Sequence, residues 1–237
     1  MLWRNGATVD LGTLGGDAAA PVAINSLGLV VGSSRIVSGS FDVHAFVWQD
    51  GAMRDLGTLG GCCSRARDVN DRGQVTGAMG VDAAGNAHAF VWDAEVSDLG
   101  TLPGDIGSTG IAVNEQGQVA GESYTELSRD RAHAFLWSRG VMQPLWGADY
   151  ASHEFDRVTA LNDQGQVVGY GGAPPVVHAL LWEGGTGWDL GTLGGANSEA
   201  RAINARGDIV GQAETASGEA HAVLWRRVTP QGAAGGR

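Results

Sequence analysis

The residues best suited to chemistry lie in one irregular stretch, PLWGADYASHEFDRV, which spans residues 144–158. His153 and Glu154 are adjacent there, and an imidazole that titrates near neutrality beside a carboxylate suits acid–base chemistry. The stretch also holds two aromatic platforms and two charged side chains, a mixture that suits a sugar or another small polar ligand: Trp146, Tyr150, Asp156 and Arg157.

Two interpretations of this stretch stay open. In the first, it forms an asymmetric site beside the axis of the fold, where His153 and Glu154 bind a ligand or catalyse a reaction. In the second, one repeat has lost its motif and acquired a polar surface loop. The stretch contains a three-residue insertion, since the repeated Trp and Asn are 25 residues apart here (137 to 162) and 22 apart elsewhere.

A repeat of about 45 residues runs through the chain and defines the elements that must position this stretch. A tryptophan recurs at intervals of 43 to 45 residues, at Trp3, Trp48, Trp92, Trp137, Trp182 and Trp225. A histidine in the motif HA recurs at His44, His88, His133, His178 and His221. An asparagine recurs at Asn25, Asn70, Asn114, Asn162 and Asn204. The chain therefore contains five repeat units.

Each unit divides into four short extended segments. The first ends in Asn, a turn Asn-x-x-Gly follows, and the second resembles QVVG at residues 166–169. Asn and Gly tolerate the positive φ of tight turns, so this pattern predicts a hairpin. The third segment is HAFVW or a near copy, whose alternation puts His, Phe and Trp on one face, and the fourth is DLGTL. No segment has the length or apolar spacing of an amphipathic helix.

Four-stranded antiparallel units of this length build either a radial propeller or a linear solenoid. Residues 7–14 match a fourth strand, and the last unit, which ends with a third strand at residues 221–225, lacks one. Pairing the two would remove exposed sheet edges, which favours the propeller. We therefore predict an all-β fold, a five-bladed β-propeller over residues 1–226, closed by the N-terminal strand in a three-plus-one seam. Residues 227–237 are expected to form a disordered tail.

The copies of DLGTLGG, A-x-x-x-N-x-x-G-x-V-x-G and HAFVW resemble the bacterial HAF repeat family, and the resemblance extends over nearly the whole chain through Trp225. The strand order is also similar to that of WD-repeat propellers. The HAF repeats are described as extracellular, so the resemblance implies secretion. The first residues, MLWRNGATVD, lack a basic region followed by an apolar run, so no export signal is visible there.

Residues that recur in every unit are expected to serve the scaffold. Each motif histidine should bond to the backbone or to the DLGTL threonine of its own blade, since five histidines on separate blades cannot share one metal ion. Phosphate-binding loops, the motif HExxH and paired zinc-finger cysteines are absent from the sequence. The sequence therefore predicts no metal site and no cofactor.

Residues that differ between units are the better candidates for a ligand surface. In a propeller, the connections from fourth to first strand and from second to third strand gather on one face. These connections add three candidate binding residues from other units: Arg65, Asp105 and Glu199.

The overall charge and the cysteines limit the partners. A formal net charge of -11 at pH 7 argues against nucleic acid or an anionic membrane surface as a partner. Cys62 and Cys63 are adjacent, and adjacent cysteines rarely form a relaxed disulfide. We predict a monomeric binding module that presents one propeller face to a glycan, a small polar molecule or a protein. The alternative is an enzyme, a hydrolase or lyase, with its site in the axial funnel at the fourth blade.

Overall fold

The computed structural model describes residues 2–4, 6–126, 131–146, 155–173 and 175–227. These residues form β-strands joined by turns, with no helix among them. The strands make four four-stranded sheets, one three-stranded sheet and one two-stranded hairpin, and sequential strands pair within each sheet. The predicted all-β fold, built from repeated antiparallel sheets, is therefore confirmed.

The first three units each form one antiparallel sheet, and a short hairpin precedes them. The hairpin contains β1 (Leu2–Arg4) and β2 (Ala7–Val9). Unit one contains β3 (Ala19–Ile24), β4 (Val30–Arg35), β5 (Val43–Gln49) and β6 (Ala52–Asp55). Unit two contains β7 (Ser64–Val69), β8 (Val75–Gly80), β9 (Ala87–Asp93) and β10 (Glu95–Gly100). Unit three contains β11 (Gly107–Val113), β12 (Val119–Tyr124), β13 (Ala132–Ser138) and β14 (Val141–Pro144).

The last two units repeat this order, but the fifth has one strand fewer. Unit four contains β15 (Asp156–Leu161), β16 (Val167–Ala173), β17 (Val176–Glu183) and β18 (Thr186–Asp189). Unit five contains β19 (Gly194–Ile203), β20 (Ile209–Thr215) and β21 (Ala220–Trp225).

The repeated asparagine builds the turn between the first and second strands of each unit. In unit two, the side-chain Oδ1 of Asn70 accepts the backbone N–H groups of Arg72 and Gln74 at 3.1 and 2.9 Å. Gly73 takes a φ of 82°, which favours glycine. An asparagine is needed at this position because its side chain satisfies turn donors that no strand partner reaches.

The same asparagines also connect each unit to the next. Each Nδ2 donates to the backbone carbonyl of the following asparagine, at 2.8 to 3.0 Å, from Asn25 to Asn70, Asn114, Asn162 and Asn204. Four such links join five units in series. We call this series the asparagine ladder.

Apolar side chains fill the spaces between neighbouring sheets. Between units one and two, Ala45, Val47 and Leu56 of unit one contact Met79 and Phe90 of unit two. The alternation of the third strand thus presents small aliphatic residues to the following unit and aromatic residues to the preceding one. The Phe and Trp of HAFVW therefore pack between units, as Phe90 and Trp92 do here.

All five units border one cavity of about 400 Å³ at the asparagine ladder. Its lining includes Ile24 of unit one and Ile203 of unit five, together with the ladder asparagines of units two to four. The sheets therefore surround a common space, which a linear stack of five sheets would not produce.

The predicted three-plus-one seam is not formed in this structure. Unit five has three strands, and β2 pairs instead with β1, through Leu2 opposite Val9 and Arg4 opposite Ala7. The short turn at Gly6, with a φ of 82°, places β1 beside β2. Closing so short a loop costs much less conformational entropy than bringing together the two distant ends of the chain.

Of the predicted tail, only Arg227 belongs to the described residues. Its guanidinium forms an ion pair with Glu183 of unit four. Residues 228–237 lie outside the described part of the chain.

Candidate functional site

Three motif histidines pair with the aspartate of the DLG motif in their own unit. Nδ1 of His44 lies 2.8 Å from Asp55, and the same pairing joins His88 to Asp98 and His178 to Asp189. The register places Phe46 opposite Asp55, so the histidine two residues earlier on that face meets the carboxylate diagonally. The expected threonine partner is therefore wrong for these units.

The DLG threonines have another role. Oγ1 of Thr13 donates to the backbone carbonyl of Gly16 at 2.8 Å, and Oγ1 of Thr192 donates to that of Gly195 at 2.9 Å. The threonines thus close the loop that leads to the next sheet.

The chain departs from this pattern where unit three leads to unit four. Pro144 stands at the position of the DLG aspartate, and His133 pairs instead with Asp105 at 3.0 Å. The two side chains are 6% and 1% exposed. Asp105, a candidate binding residue, is thus enclosed and engaged by a histidine of its own unit.

Trp146 and Asp156 replace a glycine and a serine that recur together in other units. In unit two, Oγ of Ser64 accepts the N–H of Ala45 and donates to the carbonyl of Gly57. Asp156 takes the serine position, and Nε1 of Trp146 donates to its Oδ2 at 2.8 Å. A side chain-to-side chain hydrogen bond thus replaces the serine-to-backbone bond of the other units.

A third substitution makes room for the indole. Trp146 packs edge to face on Trp182, with ring centroids 6.1 Å apart. Gly187 of β18 occupies the position that Met53 has in β6, and a Cβ built there would lie 2.2 Å from the Trp146 ring. The indole therefore fills the space that a β-strand side chain occupies in unit one.

Asp156 is a buried acid with one oxygen unsatisfied. It is 1% exposed, and Oδ1 has no hydrogen-bond partner among the described residues. Burial raises the pKa of Asp156 to about 7, against the opposing effects of the Trp146 hydrogen bond, the Ala134 backbone amide and the nearby His133. Oδ1 lies against Gly171, where a Cβ would stand only 2.4 Å away.

A cavity of about 310 Å³ lies next to this arrangement. We call it the unit-four cavity, and its lining residues are Trp146, Gly171, Gly172, Ala173, Val176, His178, Leu180 and Asp189. Trp146 comes from the connection that enters unit four, and Gly171 to Val176 surround the connection between its second and third strands. The cavity therefore lies on the face that the sequence predicts for ligands.

The cavity is mostly apolar and has one ordered polar pair. Nδ1 of His178 is held by Asp189 at 2.6 Å, which leaves Nε2 as the ring nitrogen able to meet a ligand. Trp146, Val176 and Leu180 supply apolar surface. Apolar walls with a few placed polar groups are typical of small-molecule sites.

Two candidates on the other units lie away from this cavity. Arg65 is exposed on β7 of unit two. Glu199 of β19 pairs with Arg201 and accepts a hydrogen bond from Gln212 at 3.2 Å.

The remaining candidates belong to the irregular stretch itself. The Arg157 guanidinium lies 4.6 Å from the centroid of the Phe155 ring. Tyr150, His153 and Glu154 lie outside the described residues. Among the candidates that the structure describes, Trp146 and Asp156 are joined by a hydrogen bond. Asp105 is connected to them through His133, which pairs with Asp105 and lies near Asp156.

Sequence reasoning missed the residues that form the far wall of the cavity. Gly171, Gly172 and Ala173 end β16, where unit two has Met79 and unit three has Tyr124, both fully or nearly fully buried. This run of small residues was visible in the sequence as YGGAPP. His178 was recognised only as a repeated scaffold residue.

Two further classes of site were sought in the described residues. No group of three or more His, Cys, Asp or Glu side chains that could hold a metal ion occurs there. Within the same residues, no helix is long and apolar enough to cross a membrane.

No protein-family model and no curated protein matches the chain. Among solved structures, TolB from Acinetobacter baumannii is similar at 12% identity and a TM-score of 0.49, over 86% of this chain and 53% of that one. A triple arginine-to-alanine mutant of AofleA from Arthrobotrys oligospora is similar at 13% identity and a TM-score of 0.42, over 88% of this chain and 68% of that one. The chain thus spans about half the length of the TolB chain. At these values neither similarity carries an inference about function.

Proposed function

We propose that the protein is a binding module and that the unit-four cavity is its ligand site. The observation that supports this most directly is the coordinated replacement of three repeat residues by Trp146, Asp156 and Gly187, beside a strand end reduced to Gly171 and Gly172. A unit that had only lost its motif would not be expected to gain a matched donor, acceptor and packing space.

The ligand class follows from the walls of the cavity. A volume of about 310 Å³ is at the small end of the range for ligand sites. The indole of Trp146 offers a flat apolar surface, and His178 offers one ring nitrogen for a hydroxyl. We infer a small neutral ligand with one apolar face and hydroxyl groups at its edge, such as a mono- or disaccharide.

The five units are proposed to form a single five-bladed propeller. The support is the axial cavity, which is bordered by unit one and unit five as well as by the units between them. Membership of the HAF repeat family, with the extracellular location that it implies, remains a prediction from the repeat motifs.

The alternative proposal, an enzyme, depends on groups that a substrate can reach. His153 and Glu154, its predicted acid–base pair, lie outside the described residues. Asp156 has a pKa raised to about 7, which suits proton transfer, but the residue is buried. Ligand binding is therefore favoured over catalysis.

Binding of a panel of neutral mono- and disaccharides, measured by isothermal titration calorimetry, tests the proposed site. Ala173→Leu adds bulk to the cavity wall at the end of β16 and should weaken any panel ligand at least about tenfold, by occupying its space. The matched control is Val81→Leu, which places leucine at the equivalent position of unit two and should leave binding unchanged. Binding that Ala173→Leu does not alter, or a panel in which no sugar binds, would contradict the proposal.

A further inference from the structure

The two cysteines of the chain meet on the connection from β6 to β7 in unit two. Cys62 is exposed and Cys63 is half-buried, and both are free thiols. Their sulfur atoms lie 2.6 Å apart, only about 0.5 Å beyond the length of a disulfide bond. Neighbouring side chains of a regular strand point to opposite faces, so this contact depends on the bend of the chain before β7.

Backbone hydrogen bonds to the end of β8 hold this bend on both sides of the cysteines. Gly61 N–H donates to the carbonyl of Gly80 at 2.9 Å, and Gly80 N–H donates to the carbonyl of Cys63 at 2.7 Å. A Cβ at Gly61 would lie only 2.6 Å from the carbonyl carbon of Gly80, so this close approach requires glycine. The fold therefore holds the two thiols in contact.

In unit one, side chains cover the equivalent bend. Arg35 stands where unit two has Gly80, because both accept a bond from the second glycine of the DLGTLGG motif. Asp17 stands where unit two has Cys62, and it forms a 2.9 Å ion pair with Arg35. Asp17 also accepts the N–H of Gly39 at 3.3 Å. The bend in unit one is thus closed by an ion pair and a hydrogen bond.

Unit five covers its bend in a different way. Glu214 stands where unit two has Gly80. Its carboxylate accepts the N–H groups of Ala196 and Asn197 at 3.2 and 3.1 Å. Gly80 has no side chain to do this, and Cys62 is exposed beside it. The cysteines and this glycine together make an accessible pair of thiols in unit two.

We propose that Cys62 and Cys63 form a reversible disulfide with each other, by exchange with a low-molecular-weight disulfide such as glutathione disulfide. One thiol loses its proton and attacks a sulfur of the reagent, which forms a mixed disulfide with the protein and releases one thiolate. The second thiol then loses its proton and attacks the protein sulfur of that mixed disulfide, which releases the second thiolate. The two cysteines lose two electrons in total, and the reagent is reduced to two thiols.

The adjacency of the two cysteines makes this disulfide easy to reduce again. Their Cα atoms are joined by one peptide unit and lie about 3.8 Å apart if that unit is trans, closer than the roughly 4.4 to 6.8 Å of an unstrained disulfide. Strained or exposed disulfides are the labile ones, in contrast to structural disulfides. The pair therefore suits reversible oxidation. This inference is independent of the ligand site in unit four.

Oxidation of the folded protein with glutathione disulfide, followed by measurement of the intact mass, tests the proposal. The parent protein should lose the mass of two hydrogen atoms and retain no glutathione, and dithiothreitol should restore the original mass. Trypsin cleaves after Arg54 and Arg65, so the disulfide should lie within the peptide of residues 55–65. The matched control is Cys63→Ser, which keeps the exposed Cys62 and should retain one bound glutathione.

The same reaction in denaturing urea separates the effect of the fold from that of adjacency in the sequence. Because the fold holds the sulfur atoms in contact, the ratio of disulfide to dithiol should be at least about tenfold higher in the folded protein at the same glutathione ratio. An equal ratio in both states would overturn the assignment of this site to the fold. A stable glutathione adduct on the parent protein, a disulfide between two chains, or thiols that react only after denaturation would each overturn the proposal.

Discussion

At the residue scale, Asp156 carries the most unusual chemistry of the described residues. A carboxyl group that is removed from water is ionised only at a cost, and the Trp146 hydrogen bond, the largest of the opposing effects, does not offset that cost. The equivalent serines in units two, three and five carry neutral hydroxyl groups, which do not ionise near neutral pH. Asp156 is therefore a carboxyl group whose charge depends on pH near neutrality.

This burial predicts a pH-dependent stability. Because the pKa of Asp156 is raised from 3.8 to about 7, the folded state keeps a proton that the unfolded state loses as pH rises through this window. The free energy of unfolding should therefore fall between pH 4 and pH 7, by up to about 4 kcal/mol relative to Asp156→Asn. Urea denaturation at a series of pH values measures the difference.

Asp98→Asn is the control for that experiment, because it removes an exposed carboxylate that pairs with His88. Its stability difference from the parent should change less with pH than that of Asp156→Asn. Parallel pH curves for the parent protein and Asp156→Asn would show that the buried carboxyl is not the source of the dependence.

At the element scale, the connection into unit four is stabilised by a hydrogen bond that the other connections lack. The Trp146 indole and the Asp156 carboxylate occupy positions that are glycine and serine in units two, three and five. Removing either residue alone leaves the buried polar group of the other without its hydrogen bond, which typically costs about 1 to 3 kcal/mol. The two residues should therefore behave as a coupled pair.

A double-mutant cycle tests this coupling. Trp146→Gly and Asp156→Ser should each destabilise the protein, and the double variant, which recreates the Gly and Ser of unit two, should recover part of that loss. We expect a coupling energy of about 1 to 3 kcal/mol from chemical denaturation. Strictly additive effects of the two changes would mean that the Trp146 to Asp156 bond contributes nothing to folding.

At the scale of the whole molecule, the asparagine ladder distinguishes an open series from a closed ring. Four links join five units, and a ring would add a fifth from Asn204 to Asn25. Each link satisfies a buried carbonyl near the axis, so the number of links contributes directly to the cooperativity of the fold.

Alanine substitutions along the ladder measure its extent. Both substitutions remove the two turn bonds that the asparagine Oδ1 accepts, and Asn114→Ala also removes the link to Asn162, which has no counterpart at Asn204 in the open series. If the five units form a ring with a fifth link from Asn204 to Asn25, the two substitutions should lower the free energy of unfolding by similar amounts. A cost for Asn204→Ala that is smaller by about 1 kcal/mol or more would indicate an open series.

The sequence by itself determined the repeat, the strand order and the turns. These features depend on short-range rules, namely the two-residue alternation of HAFVW and the preference of Asn-x-x-Gly for a hairpin turn. It also located the irregular stretch at Trp146 and Asp156, since a residue that departs from a five-fold repeat is visible without coordinates.

Only the tertiary structure decided which residues meet. The histidines pair with the DLG aspartates because strand register, which spacing alone does not specify, brings them together. The unit-four cavity forms because Gly171 and Ala173 lie beside Trp146, although they are about 25 residues away in sequence. The N-terminal strand β2 pairs with β1 and not with unit five, because the short loop between β1 and β2 favours the hairpin and the repeat pattern does not specify this choice.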